Sequence, residues 1–191
     1  MPEKPPVVVA VSGASGAPIA VRVLRGLRAA RLPVALVVSD GAEKVVVEES
    51  GLDLAALSKL ATTVYADDDL TAPIASGSVP TRGMAVVPCS ANSVARLALG
   101  LGDSLIARAA HVHLKERRPL VIVPRETPMP TLMLRHLTTL SELGVVVLPA
   151  APAYYLHPQT IDDVTDFLAG RVLDHLGVHH RLYRAWTPGA R

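Results

Sequence analysis

The sequence predicts one α/β domain, a parallel sheet with helices on both faces. Three observations predict it. Short β-branched runs alternate along the chain with longer segments of helical period. Those runs are near-continuous in Val and Ile, which indicates strands buried on both faces. The 191 residues show no repeat, low-complexity tract or linker, and about 100–200 residues make one domain.

The elements follow in order. Val7–Val11 reads as a buried strand, followed by the turn Ser12–Gly16 and a helix from Ala17 to Arg31. Val34–Val38 is a second strand, with a helix over Ala42–Ser50. Met84–Val87, Leu120–Val123 and Val145–Leu148 are three more strands, each followed by a turn and a helical pattern. The domain spans residues 1–191, and residues 177–191 read as a C-terminal tail that either docks on a neighbouring subunit or frays.

Composition narrows the function. A net charge of +2 leaves no broad polycationic face for nucleic acid. One cysteine, Cys89, excludes a disulfide framework and a Cys-rich metal site, and its apolar neighbours make it a buried small residue rather than a nucleophile. The longest apolar runs fall far short of the ~20 residues of a spanning helix, so no membrane segment is expected. MPEKPP has neither an apolar core nor a cleavage signal, which points to a cytoplasmic location. Only 19% of residues are charged and the mean hydropathy is +0.35, so identical partners should cover part of the surface.

In an open parallel sheet, ligands sit beyond the carboxyl ends of the strands. The loop Ser12-Gly13-Ala14-Ser15-Gly16 is either a plain strand–helix turn or a phosphate cradle of glycines, hydroxyls and free N–H groups. Pro88-Cys89-Ser90-Ala91-Asn92-Ser93 repeats that geometry, as an N-cap or as a second set of donors to a cofactor. Arg125 and Glu126 follow a strand and are fixed between Pro124 and Pro128, where a carboxylate beside arginines can manage protons and cations can hold an anionic leaving group. Arg117 and Arg118 read as a solvated face, and so does Asp67-Asp68-Asp69. Tyr154 and Tyr155 concentrate two of the six aromatic residues in one loop, which Arg171 approaches from the last helix. All seven histidines lie at His111 or later, His111 and His113 beside a strand start, without a metal-ligand spacing.

Together, SGASGAP, the Ser39 loop with Glu49 downstream, ASGS at Ala75–Ser78, PCSANS, LKERRPLVIVPRETP and PAAPAYYLHPQT resemble the UbiX-type flavin prenyltransferases, in order from Val7 to Trp186. The resemblance implies a Rossmann-like (flavodoxin-like) homo-oligomer, often a dodecamer. Such enzymes join a dimethylallyl group from dimethylallyl phosphate to N5 and C6 of reduced FMN, and the prenylated product serves a UbiD-type decarboxylase. By position, Gly13, Ala14, Ser15, Ser39, Ser90, Ala91, Asn92, Ser93 and Arg125 would hold FMN. Tyr155 and Arg171 would hold the prenyl phosphate, with Lys115, Arg125 and Glu126 around it. Glu49 would reach in from a neighbouring subunit, and Trp186 would cap the site. Catalysis would rest on Glu126, Lys115, Ser15 and Glu49, with no metal, since Lys and Arg can hold a monophosphate leaving group. The chain departs from the family pattern at Asp40, Pro18 and Leu156-His157. Two other readings are an FMN-dependent cysteine decarboxylase, disfavoured by the lack of any histidine before His111, and a non-catalytic FMN-binding accessory subunit.

Overall fold

The structure is a computed structural model that describes residues 4–185. Six strands form one parallel sheet: β1 (Val7–Val11), β2 (Val34–Val38), β3 (Thr63–Ala66), β4 (Gly83–Cys89), β5 (Leu120–Pro124) and β6 (Val146–Val147). Their order is β3-β2-β1-β4-β5-β6, the doubly wound Rossmann arrangement. Without the short edge strand β3, the remaining five run in the flavodoxin order. The expected α/β class therefore holds, with one strand more than the sequence predicts. Thr63–Ala66 is largely exposed and carries no apolar run, so its only signature is its pairing with β2.

Side-chain alternation splits each inner strand between two cores. Val7, Val9 and Val11 face one layer, made by α1 (Ala17–Ala29), α2 (Asp40–Ser50) and α7 (Ile161–His175). Val8 and Ala10 face the other, made by α4 (Ala91–Leu99), α5 (Leu105–Lys115) and α6 (Thr131–Glu142). A short helix, α3 (Leu54–Ser58), leads into β3. α1 and α7 lie close enough that a Cβ on Gly26 would come within 2.5 Å of Leu173 Cδ1. Pro18 sits in the first turn of α1, where its missing N–H is no loss.

Several boundaries differ from expectation. α1 stops at Ala29, and Arg31 takes a φ of 53° just beyond it. α2 begins two residues early, because Ser39 adopts the extended N-cap conformation. His111 and His113 lie within α5, and His113 is fully buried, bonded to the Ala109 carbonyl and the Thr81 hydroxyl. From Gly177 to Ala185 the tail packs on its own chain: Val178 is buried and Leu182 lies against the α1–α7 core. Among the described residues no helix is long and apolar enough to cross a membrane.

Candidate active site

The strand order reverses between β1 and β4, and a cleft of about 920 Å³ opens beyond their carboxyl ends. Ser12 stitches the two loops together at this point. Its hydroxyl donates to the Pro88 carbonyl at 3.0 Å and accepts from the Ser90 N–H at 2.8 Å. The loop after β1 also passes against α2, where a Cβ on Gly13 would stand 3.1 Å from the Gly41 backbone. A side chain at 13 would press on that backbone, so glycine keeps the two segments close.

Gly13, Ala14, Ser39, Ser90, Ala91, Asn92, Ser93, Arg125 and Glu126 all line this cleft. Ser90 does cap α4, accepting the Ser93 N–H at 3.2 Å, so the capping role holds within the cleft wall. Ser39, the N-cap of α2, makes no capping bond with its side chain. Arg125 Nε is buried and has no hydrogen-bond partner among the described residues. A buried guanidinium donor without an acceptor is costly, so the cleft is shaped for a group that supplies one. A flavin, with ring carbonyls and nitrogens, is such a group. The residues present fit it.

Ser15 and Glu49 form a separate arrangement beside the cleft. Gly16 offers no side-chain cap to α1, and Glu49 at the end of α2 takes that place. Its Oε2 accepts the Gly16 and Ala17 N–H groups at 2.8 and 2.9 Å. The expectation that Glu49 arrives from a neighbouring subunit is thus corrected: it serves its own chain. Partial burial opposes its ionisation, but bonds from Ser15, Gly16 and Ala17 and the charge of Arg125 outweigh it. The carboxyl is held below its usual range. These N–H groups are therefore already engaged, and a phosphate in the cleft would rely on the remaining loop donors.

Asp67 also has a role the sequence does not show. Its Oδ1 accepts the Ile106 N–H at 2.9 Å and its carbonyl accepts from Leu105, so it caps α5 while lining the cleft with Asp68. Cys89 is fully buried and its thiol is pushed up to about 12, in keeping with a packing residue. Among the described residues no group of His, Cys, Asp and Glu could hold a metal.

The other carried-over residues lie elsewhere on this chain. Lys115 ends α5, which starts at the cleft and runs back for eleven residues, placing it about 15 Å away at the amino pole of the sheet. There it pairs with Glu116 at 2.8 Å. Tyr155 lines a second hollow, of about 660 Å³, with Phe167, Leu182 and Tyr183. Arg171 bonds Asp174 and Tyr183. Trp186 lies outside the described residues.

The chain matches known proteins over nearly its whole length. A family model described as Flavoprotein matches residues 1–173. A flavin prenyltransferase UbiX of Deinococcus radiodurans is 47% identical over 186 residues, covering 97% of this chain and 95% of its own. The structure of AnUbiX in complex with FMN and dimethylallyl pyrophosphate superposes with a TM-score of 0.96 at 37% identity, covering 98% of this chain and 100% of that one. A dodecameric FMN-dependent UbiX-like decarboxylase from Escherichia coli O157:H7 gives a TM-score of 0.92 at 40% identity, covering 95% and 98%. Near-full-length matches at this identity, on a chain whose cleft presents the motif residues together, place the protein in the Flavoprotein family and, within it, among the UbiX-type flavin prenyltransferases.

Proposed function

We propose that this chain transfers a dimethylallyl group from dimethylallyl phosphate to N5 and C6 of reduced FMN. The observation that carries the reading is the buried Arg125 Nε, without a partner among the described residues, beside Glu126 in a hydroxyl-rich cleft at the strand switch point. Reduced FMN supplies the nucleophilic positions. Gly13, Ala14, Ser39, Ser90 to Ser93 and Arg125 orient it, and Ser15 and Glu49 shape the adjoining turn. The allylic C–O bond breaks with its electron pair leaving on the phosphate, where Lys115, Arg125 and Arg171 stabilise the growing charge. Tyr155 bounds the prenyl group. N5 loses its proton as it bonds to the allylic carbon, the alkene gains one proton as its tertiary carbon bonds to C6, and Glu126 takes the proton lost from C6.

Lys115 lies too far along α5 to reach its own chain's cleft, so it acts from a neighbouring copy. That requirement favours a homo-oligomer of the dodecameric kind seen in the E. coli relative. The product passes to a UbiD-type decarboxylase, and both proteins work in the cytoplasm. Incubating the protein with reduced FMN and dimethylallyl phosphate tests the reading by mass spectrometry. The flavin should gain one prenyl unit. An unchanged flavin mass sinks the transferase reading and leaves an FMN-binding subunit.

A further inference from the structure

One face of α7 carries Phe167, Gly170, Arg171 and Asp174, a spacing of three, four and seven residues that aligns them in a single stripe. The tail folds back onto that stripe. Tyr183 packs edge-on against Phe167, with ring centroids 5.1 Å apart. Gly170 makes the approach possible, because a Cβ there would stand 2.6 Å from Tyr183 and 2.7 Å from the His180 ring. Any larger residue at 170 would lift the tail.

Four polar groups meet at the docked tail. Asp174 accepts from Arg171 Nη1 at 2.8 Å, from the Tyr183 hydroxyl, and from His180 Nε2 at 3.0 Å. Arg171 Nη1 also lies 3.3 Å from the Tyr183 oxygen. Both bonds fall on one arm of the guanidinium. Nε and Nη2 make no hydrogen bond among the described residues, and the side chain is 39% exposed. The Nε–Nη2 edge is the fork that arginine presents to two oxygens of an oxyanion. The same Tyr183 lines the hollow that holds Tyr155.

We propose that Asp174 and Tyr183 are positioning residues for Arg171: they fix Nη1 and so present the Nε–Nη2 edge to the phosphate of the prenyl donor. This rests on the assignment of Arg171 to that phosphate. The tail is then part of the donor site, because it delivers the tyrosine that steadies the arginine. A free arginine must lose its rotamer freedom when it binds, and the docked one has already lost it.

The test uses Tyr183→Phe, which keeps the ring on Phe167 and Gly170 and removes one hydroxyl, with Asp174→Asn, Gly170→Ala and Arg171→Ala beside it. Binding of inorganic phosphate by calorimetry and the KM for dimethylallyl phosphate are measured, with FMN affinity as a control. Tyr183→Phe and Asp174→Asn should each weaken phosphate binding and raise KM about tenfold at unchanged FMN affinity. Gly170→Ala should do the same without touching any polar group. Added to Arg171→Ala, neither change should weaken binding further. Unaltered phosphate binding in Tyr183→Phe and Asp174→Asn, or full additivity with Arg171→Ala, would overturn the proposal. A wild-type protein that makes no prenylated flavin defeats the transferase reading instead, and the phosphate titrations still decide the role of the two residues.

Discussion

Glu49 joins two helices, and its acidity makes that contact measurable. Because its folded value lies below the ordinary value of 4.5, its stabilising effect is complete above that value and fades as the pH falls through the lower one. Glu49→Gln should therefore cost about 1 kcal/mol at neutral pH, the usual size of an N-cap, and the difference from wild type should shrink in acid melts. Ser15 stands at the same turn, so Ser15→Asp sets a second negative charge beside Glu49 and the cleft and should purify with little FMN. Normal flavin content would remove Ser15 from the cofactor's surroundings. Glu126 is within the cleft wall and its Oε1 is only loosely held, accepting its neighbour Thr127 N–H at 3.2 Å. Glu126→Gln keeps the shape and removes the base. Turnover should drop about a hundredfold or more while FMN affinity stays the same. Product formation at the wild-type rate would assign the proton to phosphate or water.

Among the elements, β1 and β2 were legible to the residue because unbroken Val-rich runs leave no other place for a twice-buried strand. The motif loops after β1, β4 and β5 were equally legible, since post-strand position and residue type both mark them. What stayed hidden depends on contacts between distant segments. β3 has no apolar run and is held by its pairing with β2. Glu49 caps a helix 33 residues earlier and Asp67 caps one 39 residues later, so no local pattern announces either. The acidic run that reads as a solvated loop thus contributes an anchor for α5. Asp67→Ala should lower stability by about 1 kcal/mol in a denaturant titration, and Asp69→Ala, at an exposed turn, should have a smaller effect. Equal losses would show that Asp67 adds no cap beyond Ser104, which already accepts the Ala107 N–H.

At the scale of the whole molecule, the residues proposed for the reaction stand at two poles of one sheet. The carboxyl pole holds the cleft with Arg125 and Glu126, and the amino pole holds Lys115 beside Glu116. If a neighbouring copy brings Lys115 to the cleft, Lys115→Ala should leave FMN binding intact and slow turnover about a hundredfold. Hybrid oligomers of Lys115→Ala and Glu126→Gln chains should then recover part of the activity, since some cleft can draw both intact residues from different copies. Two impaired parents that give equally impaired hybrids would show that Lys115 and Glu126 serve the same chain's cleft, and a Lys115→Ala protein of unchanged turnover would place Lys115 outside the reaction. The flavin is proposed to sit in the switch-point cleft with its reacting edge at Arg125 and Glu126. A crystal structure of the protein with FMN tests it most directly. The ring system should lie in that cleft, with one of its acceptors within hydrogen-bond distance of Arg125 Nε and Glu126 beside the N5–C6 edge. A flavin seated elsewhere, or one that leaves Arg125 Nε still without an acceptor, would contradict it.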